Sequence, residues 1–173
     1  MISNWDQSFE YLLQSEGGFV NDPNDPGGMT NLGVTKAAWE KYVGHAVSEA
    51  DMRGLTPDVV KSFYKKEYWD AVQADVLPVG IDYVCFDFAV NANPMRSILL
   101  LQRCVNVKDD GILGKQTLSA VTDAYSANKI ALIERFSDEK EAFYHTRPTF
   151  PIYGRGWINR VDIVENRAKT MVM

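Results

Sequence analysis

Glu16, Asp22 and Asp25 fall within one ten-residue stretch of the chain. Acids gathered this closely are the usual equipment of hydrolysis by acid–base catalysis, in which one carboxyl gives a proton and another handles water or developing charge. The surrounding residues suit such a site. Asp22-Pro23 and Asp25-Pro26 each put an acid before a proline, which biases the acid toward extended backbone. Acids so placed also make simple Asx turns, so the spacing alone leaves both readings open. Gly27-Gly28 points to positive φ or to a close approach by another group. Thr30 and Asn31, just beyond, can offer hydrogen bonds to a polar substrate. A phosphate cradle is a poor alternative, because the P-loop lysine and its following serine or threonine are missing.

The element that must carry Glu16 is an amphipathic helix. Trp5, Phe9, Leu12, Leu13 and Glu16 share one face at helical spacing. Ser3 or Asn4 can cap its start, and Gly17-Gly18 supplies its stop. Glu16 thus continues the apolar stripe and lies at the negative end of the helix dipole. Both placements disfavour a charged carboxylate, which suits a proton donor. The plainer reading, a half-solvated residue at a helix end, competes with it on periodicity alone. Glu10 reads as a solvated helix charge.

The rest of the chain supplies helices. Met29–Thr35 reads as a short extended segment. Thr35 can cap a helix over Lys36–Val43, and Ser48-Glu49-Ala50-Asp51 resembles a capping box that Gly54 ends. Thr56-Pro57 is a cap followed by proline at the first helical position, predicting a helix to about Trp69. Tyr68 and Trp69 read as core aromatics, with a sugar platform as the alternative for both. Ile81–Asn91 is apolar almost all round and predicts a buried central helix. Asp87 interrupts it and needs partners. Asn93 caps a helix from Pro94 to about Asn106. Gly114 opens another helix, and Asn128 caps a long one to about His145. Arg147–Gly156 reads as a Pro/Gly loop, and Trp157–Met173 as the last helix.

Composition narrows the function classes. A net charge of −5 on 173 residues leaves no basic patch for nucleic acid. The longest apolar runs, Tyr83–Val90 and Ile98–Leu101, fall far short of the roughly 20 residues of a membrane span. The first residues lack the pattern of a secretory signal peptide. Cys85 and Cys104 sit in apolar contexts and read as buried thiols. The EF-hand ligand series is absent around Lys108-Asp109-Asp110-Gly111. The two histidines, His45 and His145, lie in unlike contexts and read as surface residues, which disfavours an amidase or peptidase built on zinc or on a Cys-His pair. No metal and no cofactor are expected.

The stretch Glu16-Gly17-Gly18-Phe19-Val20-Asn21-Asp22-Pro23-Asn24-Asp25-Pro26-Gly27-Gly28-Met29-Thr30-Asn31, closing on Gly33-Val34-Thr35, resembles the opening signature of glycoside hydrolase family 108, the N-acetylmuramidase-like lysins of phages and prophages. Phe86–Asn91, Leu101-Gln102-Arg103, Asp110–Leu118 and Gly156–Val161 are similar to the peptidoglycan-binding module that accompanies that family. The resemblance implies a mainly α, compact lysozyme-like multi-helix domain with at most a short β element near residues 29–35. It implies a catalytic region over residues 1–90 and a small helical peptidoglycan-binding-like region over 91–173, packed against it.

It also implies cleavage of the β-1,4 bond between N-acetylmuramic acid and N-acetylglucosamine, with Glu16 as the catalytic acid. Asp25, then Asp22, are the candidates for the second carboxylate. Thr30, Asn31 and Tyr68 are candidates for substrate binding. The implied partners are peptidoglycan glycan strands and a separate holin-type pore, with no nucleic acid and no membrane insertion. The expected form is a monomer held in the host cytoplasm until release. The alternative is a non-catalytic peptidoglycan-binding protein of a secretion or injection system.

Overall fold

A computed structural model describes residues 3–24 and 27–173. Among them are eight α-helices and one small antiparallel sheet, the mainly α class the sequence predicts. The chain divides into two compact units. One is Asp6–Glu67; the other is Tyr68–Met173 with the chain's first residues up to Trp5.

The first unit opens on α1 (Trp5–Ser15), whose Phe9 and Leu12 are buried. A three-stranded sheet follows: β1 (Val20–Asn21), β2 (Met29–Asn31) and β3 (Val34–Thr35), with Val20 opposite Thr30 and Thr30 opposite Thr35. The sheet is larger than the composition suggests, since β1 lies in a segment that reads as pure loop. Two exposed residues carry no periodic signal, and only their pairing with β2 makes them a strand.

Three helices complete the unit, α2 (Lys36–Val43), α3 (Glu49–Arg53) and α4 (Pro57–Tyr64). Their starts are set locally. Thr35, Ser48 and Thr56 each accept a backbone N–H from three residues on, and Asp51 closes the capping box at Ser48. Trp39, Phe63 and Tyr64 form an aromatic cluster with Phe9 and Tyr42 at centroid distances of 5.3–6.0 Å. After α4 the backbone widens into a π-helical turn over Lys65–Trp69.

The second unit is built on α5 (Ile81–Asn91), buried from Ile81 to Ala89. Around it lie α6 (Pro94–Cys104), α7 (Lys115–His145) and α8 (Phe150–Val172). Trp5 belongs here, edge-on to Trp69 at 5.4 Å and to Phe86 at 5.5 Å. Cys85 and Cys104 are buried free thiols. Asn128 interrupts α7 with an extended backbone (φ −163°, ψ 97°), and its Oδ1 accepts from Ala131 N at 3.0 Å. It is therefore the cap of the second half of that helix, as its position in the sequence suggests.

The last helix starts earlier than the sequence suggests, because residues 150–156 are helical and only 147–149 form a turn. Helix α8 begins at Phe150, with Pro151 in its first turn, where a missing N–H costs nothing. Gly154 packs under Phe150, whose ring would lie 2.7 Å from a Cβ there. The glycine marks a tight contact inside a helix, not the end of one.

Asp87, the acid inside α5, is 1% exposed and fully engaged. Lys140 Nζ lies 2.5 Å from its Oδ2, and Arg160 Nη2 and Nε lie 2.9 and 3.1 Å from its Oδ1. Burial alone would push the carboxyl up, but the two cations hold it below the usual carboxylate range. Asp87 therefore ties α5 to α7 and α8, and its chemistry is structural.

Candidate active site

Glu16 follows α1 directly, its N–H still bonded to Leu13 O at 3.2 Å. It is half-buried, as an acid at the rim of a site must be if it is to meet both protein and substrate. What faces it is the tip of the β2–β3 hairpin. Asn31 pairs with Val34, so Leu32 and Gly33 form a two-residue turn. Both have positive φ, 51° and 76°, as a type I′ turn requires. Glycine adopts this conformation freely, whereas leucine does so at a cost of roughly 1–2 kcal/mol. Strain of this kind persists only where surrounding contacts over-determine the backbone.

Those contacts are visible. Leu32 N donates to Gly17 O at 3.1 Å, and Leu32 O accepts from the Tyr64 hydroxyl at 2.8 Å. The turn is thereby pinned to the residue after Glu16 on one side and to α4 on the other. Gly33 then presents a bare backbone to the acid. A Cβ built on Gly33 would lie 2.6 Å from Glu16 Oε2, 2.7 Å from its Cδ, and 2.6 Å from the Tyr64 hydroxyl. The carboxyl and the phenol thus flank one small space that only glycine leaves open.

The other residues singled out by sequence are placed as follows. Asp22 is exposed, and its Oδ1 accepts from Asn24 N at 2.8 Å, an Asx turn. Asp25 lies outside the described residues. Thr30 sits mid-strand in β2, half-buried, and among the described residues its hydroxyl has no hydrogen-bond partner. Asn31 points the opposite way along the strand. It is buried, and its Nδ2 donates to Met52 O at 2.8 Å, tying β2 to α3. Its amide braces the sheet that carries the turn. Tyr68 is half-buried in the π-helical turn and belongs to the second unit.

Two residues beside Glu16 escape sequence reasoning. Tyr64 reads as one more apolar position of α4, and nothing local says that its hydroxyl would reach a turn 32 residues earlier. Gly33 stands inside the signature, yet its role follows only from what lies opposite. The available signal was the pair Leu32-Gly33 between Thr30-Asn31 and Val34-Thr35, a connection short enough for a hairpin turn. Among the described residues, no three His, Cys, Asp or Glu side chains gather as a metal site would need.

Taken together, a carboxyl at a helix end, a strained hairpin turn and a phenol meet at one place. Comparison with known proteins gives this geometry a context. Residues 9–92 match the profile of the family described as Glycosyl hydrolase 108, and residues 96–162 match a predicted peptidoglycan domain. The structure of Brucella abortus SagA is similar at 34% sequence identity and a TM-score of 0.86, over 97% of this chain and 95% of that one. No curated protein matches.

Proposed function

Since the chain belongs to the glycosyl hydrolase 108 family, we propose that Glu16 is the acid with which it opens the β-1,4 bond between N-acetylmuramic acid and N-acetylglucosamine. The protein is a glycosidase that hydrolyses peptidoglycan, and its second family match fits the same substrate. The observation that carries the assignment of Glu16 is its position, held at the end of α1 against the bare backbone of Gly33 and beside Tyr64.

In this reading the Glu16 carboxyl passes its proton to the bridging oxygen as the bond from that oxygen to the sugar's C1 breaks. Water adds to C1 and gives up a proton, and a second group either activates that water or offsets the positive character of the ring. Asp25 is the first choice for this group and Asp22 the second. Thr30, with its uncommitted hydroxyl, suits the positioning of water.

Glu16→Gln keeps the size of the side chain and removes the proton. The variant should clear outer-membrane-permeabilised Gram-negative cells roughly 10²–10⁴-fold more slowly with its melting temperature unchanged. Clearing at the native rate would remove Glu16 as the acid.

We further take the enzyme to be a lysin of phage or prophage type, acting as a monomer. In this reading a separate pore-forming protein gives the enzyme passage to the wall. Expression in a Gram-negative host should be tolerated alone and lytic when a pore-forming membrane protein is added. Lysis without the pore would overturn the need for that partner.

A further inference from the structure

The second unit contains a concavity of about 240 Å³ whose walls include Arg96, Phe143, Tyr144, Arg147 and Trp157. Arg96 comes from the first turn of α6, and Arg147 from just past the end of α7. Both guanidinium groups sit over one ring, at 5.5 and 5.3 Å from the centroid of Phe143. Two cations drawn to one ring repel each other, so an anion beside them is favoured.

The protein supplies none. Among the described residues neither guanidinium has an ion-pair or hydrogen-bond partner. Arg53, Arg103 and Arg160, by contrast, are each paired with a carboxylate. Glu139 lines an adjoining hollow with Arg96 but forms no ion pair with it. In a chain with 23 acidic residues against 18 basic ones, two arginines left together without a carboxylate are notable. Trp157, stacked on Tyr144 at 5.1 Å and 27°, adds an aromatic pair to the same lining.

The reading that follows rests on peptidoglycan being the substrate. Peptidoglycan glycan is itself neutral, because the lactyl carboxyl of each muramic acid is joined in an amide to the stem peptide. Free carboxylates therefore sit on the peptides. Guanidinium forks match carboxylates in charge and in planar geometry. We propose that this concavity binds a free carboxylate of the stem peptide, with Trp157 and Tyr144 as the surface against which the peptide lies. The second unit would then recognise the cross-linking part of the wall, separately from the sugar bond that is cut.

The test uses the full chain carrying Glu16→Gln, so that binding is read without cleavage. It is sedimented with purified sacculi, either intact or stripped of stem peptides by an amidase. Binding should weaken about tenfold on the stripped material. Arg96→Ala/Arg147→Ala added to the same chain should weaken binding to intact sacculi by a similar factor and add nothing on stripped ones. Lys129→Ala/Arg135→Ala removes the same charge elsewhere and should leave binding unchanged.

Equal binding of the parent chain to both materials would overturn the proposal, as would intact binding by a folded Arg96→Ala/Arg147→Ala variant. If that variant melts early, Arg96→Lys/Arg147→Lys keeps the charge and loses the fork; it should bind at an intermediate level, and binding equal to the parent's would overturn the reading. Failure here leaves the hydrolysis reading intact, since clearing by the chain with Glu16 is a separate measurement.

Discussion

Gly33→Ala makes the sharpest test of how Glu16 is held. The added methyl would lie 2.6 Å from Glu16 Oε2, where ordinary contact begins near 3.4 Å. The carboxyl must therefore retreat by about 0.8 Å, or the turn must move by as much. A misplacement of roughly 1 Å in a reacting group costs up to about 10² in rate, or about 2.7 kcal/mol of barrier.

The substitution also places alanine at φ +76°, which costs roughly 1–2 kcal/mol and lowers the melting temperature by a few degrees. Strain and displacement can be separated. Gly44, at the end of α2, has a similar φ of +81° and nothing within 4 Å of its missing Cβ. Gly44→Ala should lose only the stability that backbone strain costs and keep its turnover.

The assay is the release of reducing ends from purified sacculi under saturating conditions, with melting curves on both variants. Gly33→Ala should show kcat reduced about 30- to 100-fold while remaining folded at the assay temperature. If Gly33→Ala and Gly44→Ala turn over at the same rate, the hairpin does not position the acid and the reasoning fails.

Three further outcomes follow from the packing. Asp87→Asn leaves the Lys140 ammonium buried opposite a neutral group, and should destabilise the second unit by about 3–5 kcal/mol in urea unfolding. Burial pushes the Asp82 carboxyl from its ordinary 3.8 up to about 6, against the hydrogen bonds from Asn4 and Tyr83 N. The folded state then keeps a proton that the unfolded chain has released. Stability from this group is full below about pH 4, falls as pH rises to about 6, and is level above it. Thermal melts of the native chain minus those of Asp82→Asn should show that slope between pH 4 and 6, and a difference independent of pH would contradict it. The Ser8 hydroxyl is buried without a hydrogen-bond partner among the described residues, so Ser8→Ala should raise stability by about 1 kcal/mol in chemical denaturation.

Local chemistry made most helices legible. Thr35, Ser48, Thr56, Asn93 and Asn128 each bond to backbone N–H groups within three residues, so their sequence neighbours suffice to place the starts of helices. The unbroken apolar run of α5 marked it as the centre of its unit. Glu16 was visible as a candidate because helix periodicity, the glycine stop and the acid-rich loop all converge on it. Where local signals misled, a distant contact had changed their meaning. Gly154 reads as a breaker until Phe150 is seen to need its empty space.

What the chain order alone determined, then, is which helices form and which acid ends the first of them, because caps, turns and periodicity act over a few residues. What only the folded chain decided is how that acid is held. The Tyr64 hydroxyl, the Leu32 carbonyl and the bare face of Gly33 meet across 32 residues of sequence. The partners of Asp87 come from 53 and 73 residues away. Contacts of that reach are products of side-chain packing, and no short-range pattern encodes them.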